Sequence, residues 1–350
     1  MAVKWGVLGC GGIADRRTIP EGFVPSEEAE LVAVQDVDEG RVRAVAEKYG
    51  VAKAYTDGAA LLQDPDVEAV YVASPTASHC EYVLAAAQAG KHVLCEKPLA
   101  LNVSQAEEMV KACRRAGVKL GVNFMMRFHA CHQYLRQLIQ GGRLGKLVLG
   151  KAELTCWYPP IPGAFRQDPT QGGGGALIDM GNHCLDLLEY LFGQRVARVS
   201  CFTSNLVQAY PSEDTAAVLA EFDGGALALA NALFNVPDAA AKNMLVVYGS
   251  RGGAWAFGTI GQDSTGQLHV TLEGEDVGYD AAQVRTVAAG EETVEPEPVN
   301  IYRAHVDAMS RAIREGGEPP VPGEVGLWSQ RVVAACYESA RSGRCVELEP

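Results

Sequence analysis

The first third of the chain alternates short apolar runs with helical patterns. Residues 3–8 form a compact apolar run closed by a glycine turn, and residues 31–35 form a second that ends at Asp36. Further runs at 67–73, 92–95 and 119–122 are spaced by helical patterns at 41–49 and 78–89 and from about 104 onward. Gly50, Gly90 and Gly117 stand where a helix closes on a left-handed glycine. Asn102 or Ser104 caps the third helix, and Ser104 with Glu107 has capping-box spacing. Buried strands alternating with helices predict a parallel, doubly wound sheet. The expectation is an α/β chain with an N-terminal Rossmann domain over residues 1–122.

Past residue 122 the pattern changes. Long β-rich runs at 146–157, 196–208, 215–222, 226–234 and 244–248 follow one another with few helices between them. Asp223-Gly224-Gly225 between two of them is a hairpin signal. Helices are expected at about 130–140, 179–191, 302–315 and 324–342. Pro319-Pro320-Val321-Pro322 reads as a rigid connector before the last. Residues 123–350 are thus expected to form a C-terminal α/β domain with a large, mainly antiparallel open sheet. That domain would carry substrate binding and oligomerisation.

Charge and composition narrow the function. A formal net charge of −13 over 350 residues is unsuited to nucleic acid or to an anionic membrane surface. No apolar run approaches the roughly 20 residues of a membrane span. The stretch ending at Cys10 lacks the apolar length of a secretory signal and reads as a first strand. Ten cysteines without a Cys-x-x-Cys pair suit a reducing, cytoplasmic setting.

Gly9-x-Gly11-x-x-Ala14 follows a strand and opens a helix, the context in which this fingerprint signals a dinucleotide. Gly9 permits the tight turn, Gly11 lets backbone approach a pyrophosphate, and Ala14 lets the helix pack on the sheet. Gly12 and Ile13 complete the turn, and the helix N-terminus faces the phosphates. Asp36 ends the second strand, where an acidic residue binds ribose hydroxyls. Val37, Asp38 and Glu39 follow it, so no adjoining arginine receives a 2′-phosphate. NAD is therefore expected over NADP. Cys10, at the helix N-terminus, is expected to have a lowered thiol pKa.

Two further groups carry chemistry. Lys97 in Glu96-Lys97-Pro98 follows a strand and would point to the reactive end of a cofactor, where an ammonium stabilises an alkoxide. By position alone it also reads as a solvated lysine before a proline. After Gly172-Gly173-Gly174-Gly175, Asp179 and His183 lie four apart with Asp186 three beyond, on one helical face. An imidazole beside carboxylates keeps a near-neutral pKa and takes a hydroxyl proton. A helix start with a packed polar histidine is the competing reading. Trp157 and Tyr158 are candidates for stacking on a substrate ring. His129-x-x-His132 lacks further ligands at zinc-like spacing, and no metal is expected.

Taken together these residues resemble the Gfo/Idh/MocA family, the glucose–fructose oxidoreductase and inositol dehydrogenase group. The resemblance rests on the glycine turn, Ser74-Pro75-Thr76 with His79, Glu96-Lys97-Pro98, Asp179-x-x-x-His183-x-x-Asp186, and the closing Gly323-Glu324-x-Gly326 with Tyr337-Glu338-Ser339-Ala340. It implies hydride transfer between a nicotinamide and a secondary hydroxyl of a sugar, polyol or glycoside, by dimers or tetramers formed through the large sheet. It also implies Lys97 as assistant to the reacting hydroxyl, His183 as acid/base and Asp179 as substrate holder or proton relay. Ser74, Thr76, His79 and Glu96 would line the cofactor, and Asn123 and Arg127 would begin the crossing, Arg127 toward substrate. Phe165-Arg166 stands where the family has Trp-Arg, which implies that Arg166 reaches the cofactor. Relatives of this kind include NAD-dependent glycosidases that oxidise a sugar transiently, non-catalytic sugar or dinucleotide sensors, and dihydrodiol dehydrogenase or biliverdin reductase types.

Overall fold

The computed structural model describes residues 1–272 and 291–349. Its first sheet has six parallel strands: β1 Val3–Leu8, β2 Ala29–Gln35, β3 Lys53–Tyr55, β4 Ala69–Val72, β5 His92–Cys95 and β6 Leu120–Val122. Their order is β3-β2-β1-β4-β5-β6. The chain therefore reverses direction across the sheet between β1 and β4, and a crevice opens at the carboxyl ends of these strands. Helices α1 Glu39–Tyr49, α2 Gly58–Gln63, α3 His79–Gln88 and α4 Val103–Ala116 cover the faces. Val70, Tyr71, Val72, Val93, Leu94 and Cys95 are wholly buried, which is why these strands read as unbroken apolar runs.

Local rules set the helix ends. Gly50 and Gly117 close α1 and α4 at φ of 69° and 70°. Asn102, not Ser104, caps α4, accepting the Gln105 N–H at 3.0 Å. Ser104 lies inside the helix, and Glu107 pairs with Lys111 and Arg331 instead. The first helix, Ala14–Phe23, is a wider π-helix with Pro20 inside it. Proline removes a backbone donor, and the Val24 N–H reaches back five residues to Ile19 at 2.9 Å.

The second sheet has nine strands: β7 Leu147–Thr155, β8 Val196–Ser204, β9 Thr215–Phe222, β10 Leu227–Leu233, β11 Met244–Gly249, β12 Gly252–Phe257, β13 Gln267–Leu272, β14 Glu291–Val294 and β15 Val346–Glu347. Their order is β14-β13-β12-β11-β7-β10-β9-β8-β15, antiparallel except between β7 and β10. The β9–β10 hairpin turns at Asp223-Gly224-Gly225, with the Gly225 N–H bonded to Phe222 at 2.8 Å. The β-run expected to reach residue 208 stops at Ser204. There Asp214 accepts the N–H groups of Leu206, Val207 and Gln208 and folds the chain into a loop. Strands β3, β14 and β15 are short and β12 opens on two glycines, whereas β13 alternates apolar residues at Leu268, Val270 and Leu272.

Helices α5 Ala130–Gln140, α6 Pro169–Gly172 and α7 Asn182–Phe192 belong to this half, and the nearly all-buried α7 packs on the inner face. Ala216, Val218, Ala220 and Phe222 point inward, and Leu219 and Glu221 outward, the period of a half-buried strand. Of the last two long helices, α8 Ile301–Glu315 returns to the first sheet, while α9 Gly323–Ser342 starts beside β6 and packs mainly on β8 of the second sheet. Val306 and Met309 join the core of Trp5 and Phe23, and the Trp5 Nε1–H donates to Ser310 at 3.0 Å. Burying two such side chains contributes about 1.5–3 kcal/mol each. The proline connector is itself packed: Val321 is buried and its carbonyl takes the Val122 N–H at 2.9 Å. Among the described residues no helix is long and apolar enough to cross a membrane.

Candidate active site

The crevice at the strand reversal is a cleft of about 630 Å³. Gly9 has φ of +96°, and a Cβ there would meet the Ser74 backbone nitrogen at 2.7 Å, because the loops after β1 and β4 abut. A Cβ on Gly11 or Gly12 would instead meet nothing within 4 Å. Both glycines face open space on the wall of the cleft, and no side chain caps the helix that follows. Bare backbone, a helix N-terminus and room for a ligand fit a pyrophosphate. Ile13 also lines the cleft, and Ala14 is buried where helix meets sheet. Cys10 lies beneath the turn. Burial and the Asp36 charge push its thiol up to about 12, the opposite of the lowering expected from its place at a helix start.

Asp36 lies at the cleft wall, buried, and does more than await a ribose. Its Oδ2 accepts the Cys10 N–H at 2.9 Å, and its Oδ1 accepts the Asp38 N–H at 3.0 Å. Arg41 Nη1 also donates to Oδ1 at 3.0 Å, and Arg41 lines the cleft. The expectation that no arginine adjoins Asp36 is therefore corrected. The sequence neighbours are acidic, but the first turn of α1, begun by the Asp38 cap, brings residue 41 back beside residue 36.

At the next strand end, Glu96-Lys97-Pro98 turns through a cis Lys97–Pro98 bond. Glu96 is buried and faces away from the cleft interior: the Tyr71 hydroxyl, Asn123 Nδ2 at 2.6 Å and the Lys97 N–H at 3.2 Å all donate to it. Its edge still lines the cleft. His79 ties this turn to the loop after β4, its ring nitrogens lying 3.0 Å from the Pro98 carbonyl and 2.9 Å from that of Ser74. Burial lowers the pKa of this imidazole. Ser74, Thr76 and His79 all line the cleft.

The second half contributes the opposite wall. Lys97 Nζ donates to Asp179 Oδ1 at 2.8 Å and to its carbonyl at 2.9 Å. Arg166 Nε donates to the same Oδ1 at 2.9 Å, with its guanidinium 4.4 Å from the Phe165 ring centre. Burial alone would raise the Asp179 carboxyl. The two cations outweigh it and hold the group well below the usual carboxylate range. Asp179 sits in a π-helical turn, Leu177–Gly181, that runs into α7. The glycine run before it is a packing device. A Cβ on Gly174 or Gly175 would collide with the Tyr337 hydroxyl or the Glu213 backbone, and the Glu213 carboxylate accepts the N–H groups of Gly175 and Leu177.

His183 is buried, with Phe124 edge-on at 5.9 Å and Nδ1 without a partner. Burial and the Lys97 charge pull its pKa well below the ordinary value, and Asp179 offsets them only in part. The near-neutral imidazole expected from adjacent carboxylates is thus corrected. Asp179 is turned toward two cations, and Asp186 grips Arg127 through two bonds of 2.6 and 2.9 Å.

The expected residues Gly9, Gly11, Gly12, Ile13, Asp36, Ser74, Thr76, His79, Glu96, Lys97 and Arg166 all line one cleft, and Lys97 reaches across to Asp179. Asp179 and His183 are not among the residues lining that cleft, and two other expected substrate residues lie elsewhere. Arg127 is paired with Asp186 and packed on Tyr190, and Trp157 is exposed, with its N–H on Asp238. Tyr158, one residue on, lines the cleft in its place because alternation along a strand end turns neighbours to opposite sides. Arg166 reaches Asp179 rather than only the cofactor region. Residues 161–164 of the same loop close the cleft from the second domain. Among the described residues no three His, Cys, Asp or Glu side chains converge as metal ligands.

Comparison with known proteins agrees with this geometry. A family model described as an oxidoreductase family with an NAD-binding Rossmann fold matches residues 3–124. A second, described as the GFO/IDH/MocA C-terminal domain, matches residues 132–255. The chain is 31% identical over 347 residues to a 1,5-anhydro-D-fructose reductase of Ensifer adhaerens, covering 99% of this chain and 98% of the relative. It is also 31% identical to a D-xylose 1-dehydrogenase (NADP(+)) of Haloferax volcanii, covering 99% and 100%. Among solved structures, the aldose-aldose oxidoreductase of Caulobacter crescentus complexed with glycerol superposes with a TM-score of 0.88 at 28% identity, over 99% of this chain and 100% of that one.

Proposed function

The chain belongs to the Gfo/Idh/MocA oxidoreductase family, and we propose that this member is an NAD-dependent dehydrogenase acting on a secondary hydroxyl of a sugar, polyol or glycoside. The carrying observation is the Lys97–Asp179 contact of 2.8 Å across the cleft that also holds the glycine turn, with His183 on the helix that continues from Asp179. Relatives named for sugar reduction and oxidation support the substrate class.

NAD, when bound, would supply the hydride acceptor, and the Gly9–Gly12 turn would hold its pyrophosphate and Asp36 its ribose. The protein supplies the proton chemistry. His183 enters the reaction neutral, since its pKa is lowered, and is the base that accepts the hydroxyl proton. Lys97 donates a hydrogen bond to the same oxygen and stabilises charge as it develops. Asp179 holds both Lys97 and Arg166 in place through one carboxylate oxygen. Tyr158 and Phe165 provide apolar wall for a sugar ring.

Lys97→Met and His183→Ala test the assignment. Each is expected to lower NADH formation with a panel of sugars, cyclitols and polyols by 100-fold or more, as loss of acid–base or oxyanion help does. NADH binding, followed by fluorescence, should stay near normal. Turnover unchanged in both variants removes the assignment.

The second sheet supports self-association. Leu219 lies opposite Leu229 on the outward face, and with Leu227 and Tyr248 both are partly exposed. Such an apolar face on an otherwise acidic protein suits a homodimer or homotetramer. A solution mass equal to one chain, measured by light scattering at micromolar concentration, rejects this part of the reading.

A further inference from the structure

The closing Tyr337-Glu338-Ser339-Ala340 motif has no part in the chemistry above, yet its tyrosine reaches the turn that carries Asp179. Tyr337, on α9, donates its hydroxyl proton to Glu213 Oε1 at 2.8 Å. Glu213 precedes β9, and its carboxylate accepts the Gly175 N–H on Oε2 at 2.9 Å and the Leu177 N–H on Oε1 at 3.0 Å. Its carbonyl takes the Ala176 N–H between them at 2.9 Å, so one residue holds three successive amides. The Asp179 N–H in turn bonds to the Gly175 carbonyl at 3.1 Å. Lys97 Nζ donates to the Asp179 carbonyl at 2.9 Å as well as to its carboxylate, so the main chain of this turn is itself an acceptor for Lys97. A shift of the turn therefore releases Lys97 with neither Lys97 nor Asp179 altered.

We propose that Glu213 and Tyr337 are positioning residues for catalysis: they fix the main chain of residues 175–179 against α9, and through it the Lys97–Asp179 contact. The inference rests on the dehydrogenase reading of that contact and adds the residues that set its geometry. The anchor is firm. Ser339, on α9, takes the Cys201 N–H of β8 at 3.0 Å, and the Trp328 Nε1–H donates to buried Glu189 on α7 at 2.7 Å. A carboxylate is required because its two oxygens serve two different amides, whereas a glutamine turns an NH2 donor toward one of them. Glycine is required at 174 for the same contact, since a Cβ there would occupy the place of the Tyr337 hydroxyl.

Glu213→Gln and Tyr337→Phe, which keeps the ring, test this in the full chain. Misplacing reacting groups by about 1 Å costs up to about 100-fold, so kcat for NADH formation should fall about tenfold or more in Glu213→Gln. Tyr337→Phe should act in the same direction and by less, because the two amide bonds to Glu213 remain. NADH affinity, read by fluorescence, should be unchanged in both. A second readout needs no substrate: acetylation of lysines by acetic anhydride, quantified by mass spectrometry. Lys97, freed in part from Asp179, should react about threefold faster or more in Glu213→Gln. Lys91, bonded to the Asp64 and Val67 carbonyls, is the internal reference and should not change.

Lys97 reactivity equal in wild type and both variants overturns the proposal, since the turn then stands without the pair. Lys97 and Lys91 rising together overturn it too, because the two residues would then serve stability alone. So does an unchanged kcat while Lys97 reactivity rises. Should Glu213→Gln fail to fold, Tyr337→Phe decides by the same criteria. A folded wild type that forms NADH with no sugar, cyclitol or polyol would sink the dehydrogenase reading instead, and the ratio of Lys97 to Lys91 reactivity would still decide whether the pair holds the turn.

Discussion

His305 on α8 is wholly buried, its ring stacked on Phe128 at 4.6 Å, and neither nitrogen has a hydrogen-bond partner. Burial, with Arg127 adding like-charge repulsion, pushes its pKa down to about 3. At neutral pH the ring is uncharged both folded and unfolded, so it contributes no pH dependence. Below about 6.5 the unfolded chain takes up a proton that the folded chain refuses. Stability therefore declines as pH falls from about 6.5 toward the folded value of about 3. At pH 5 the loss is RT ln(1 + 10^1.5), about 2 kcal/mol for one such group.

His305→Phe keeps a stacked ring and removes the titration. Urea unfolding followed by tryptophan fluorescence at pH 7.5 and pH 5 measures the effect. The variant should lose about 2 kcal/mol less than wild type between the two conditions. At pH 7.5 it should be no less stable, because two unsatisfied nitrogens are replaced by apolar edge. His132, also pushed down to about 3, titrates equally in both proteins and cancels in the comparison. The same pH dependence in variant and wild type would refute the reasoning, since it would mean that the folded protein protonates His305.

A second expectation concerns the glycine turn. Gly9→Ala places a Cβ 2.7 Å from the Ser74 nitrogen at a φ of +96°, so NADH affinity measured by fluorescence should fall at least tenfold while the protein still folds. Near-normal affinity would show that the two loops separate freely. The pH dependence of sugar oxidation follows from His183. Its pKa is pulled well down, so kcat/KM should show no acid limb near pH 6.5 and should fall only in more acid solution. A limb at pH 6.5 that vanishes in His183→Ala would mean a solvated imidazole.

Much of the first sheet was legible because its determinants are local. A strand buried on both faces must be an apolar run, and a left-handed helix end wants glycine, so residues 3–8, 92–95, Gly50 and Gly117 stood out. Gly9, Asp36 and Lys97 were legible for a related reason. Each follows a strand, and strand ends in an open α/β sheet gather at one crevice. Strand β12 was not, since its two glycines leave the ladder to be set by the neighbours it pairs with.

The electrostatics of the site belonged to the tertiary structure. Spacing put Asp179 and Asp186 near His183, yet each carboxylate turned to a cation from elsewhere in the chain, Lys97 with Arg166 in one case and Arg127 in the other. Helix context suggested a lowered thiol pKa for Cys10, but burial beside Asp36 reversed the direction. Arg41 was hidden behind three residues and came back beside Asp36 when α1 wound its first turn. In the first sheet the sequence by itself determined where strands end, and with them which residues of that sheet reach the cleft, because backbone sterics and burial period act over a few residues. Which charges meet there, and so which groups are neutral or ionised, was decided only by packing. Coulomb energy and desolvation depend on distances that residue spacing does not encode.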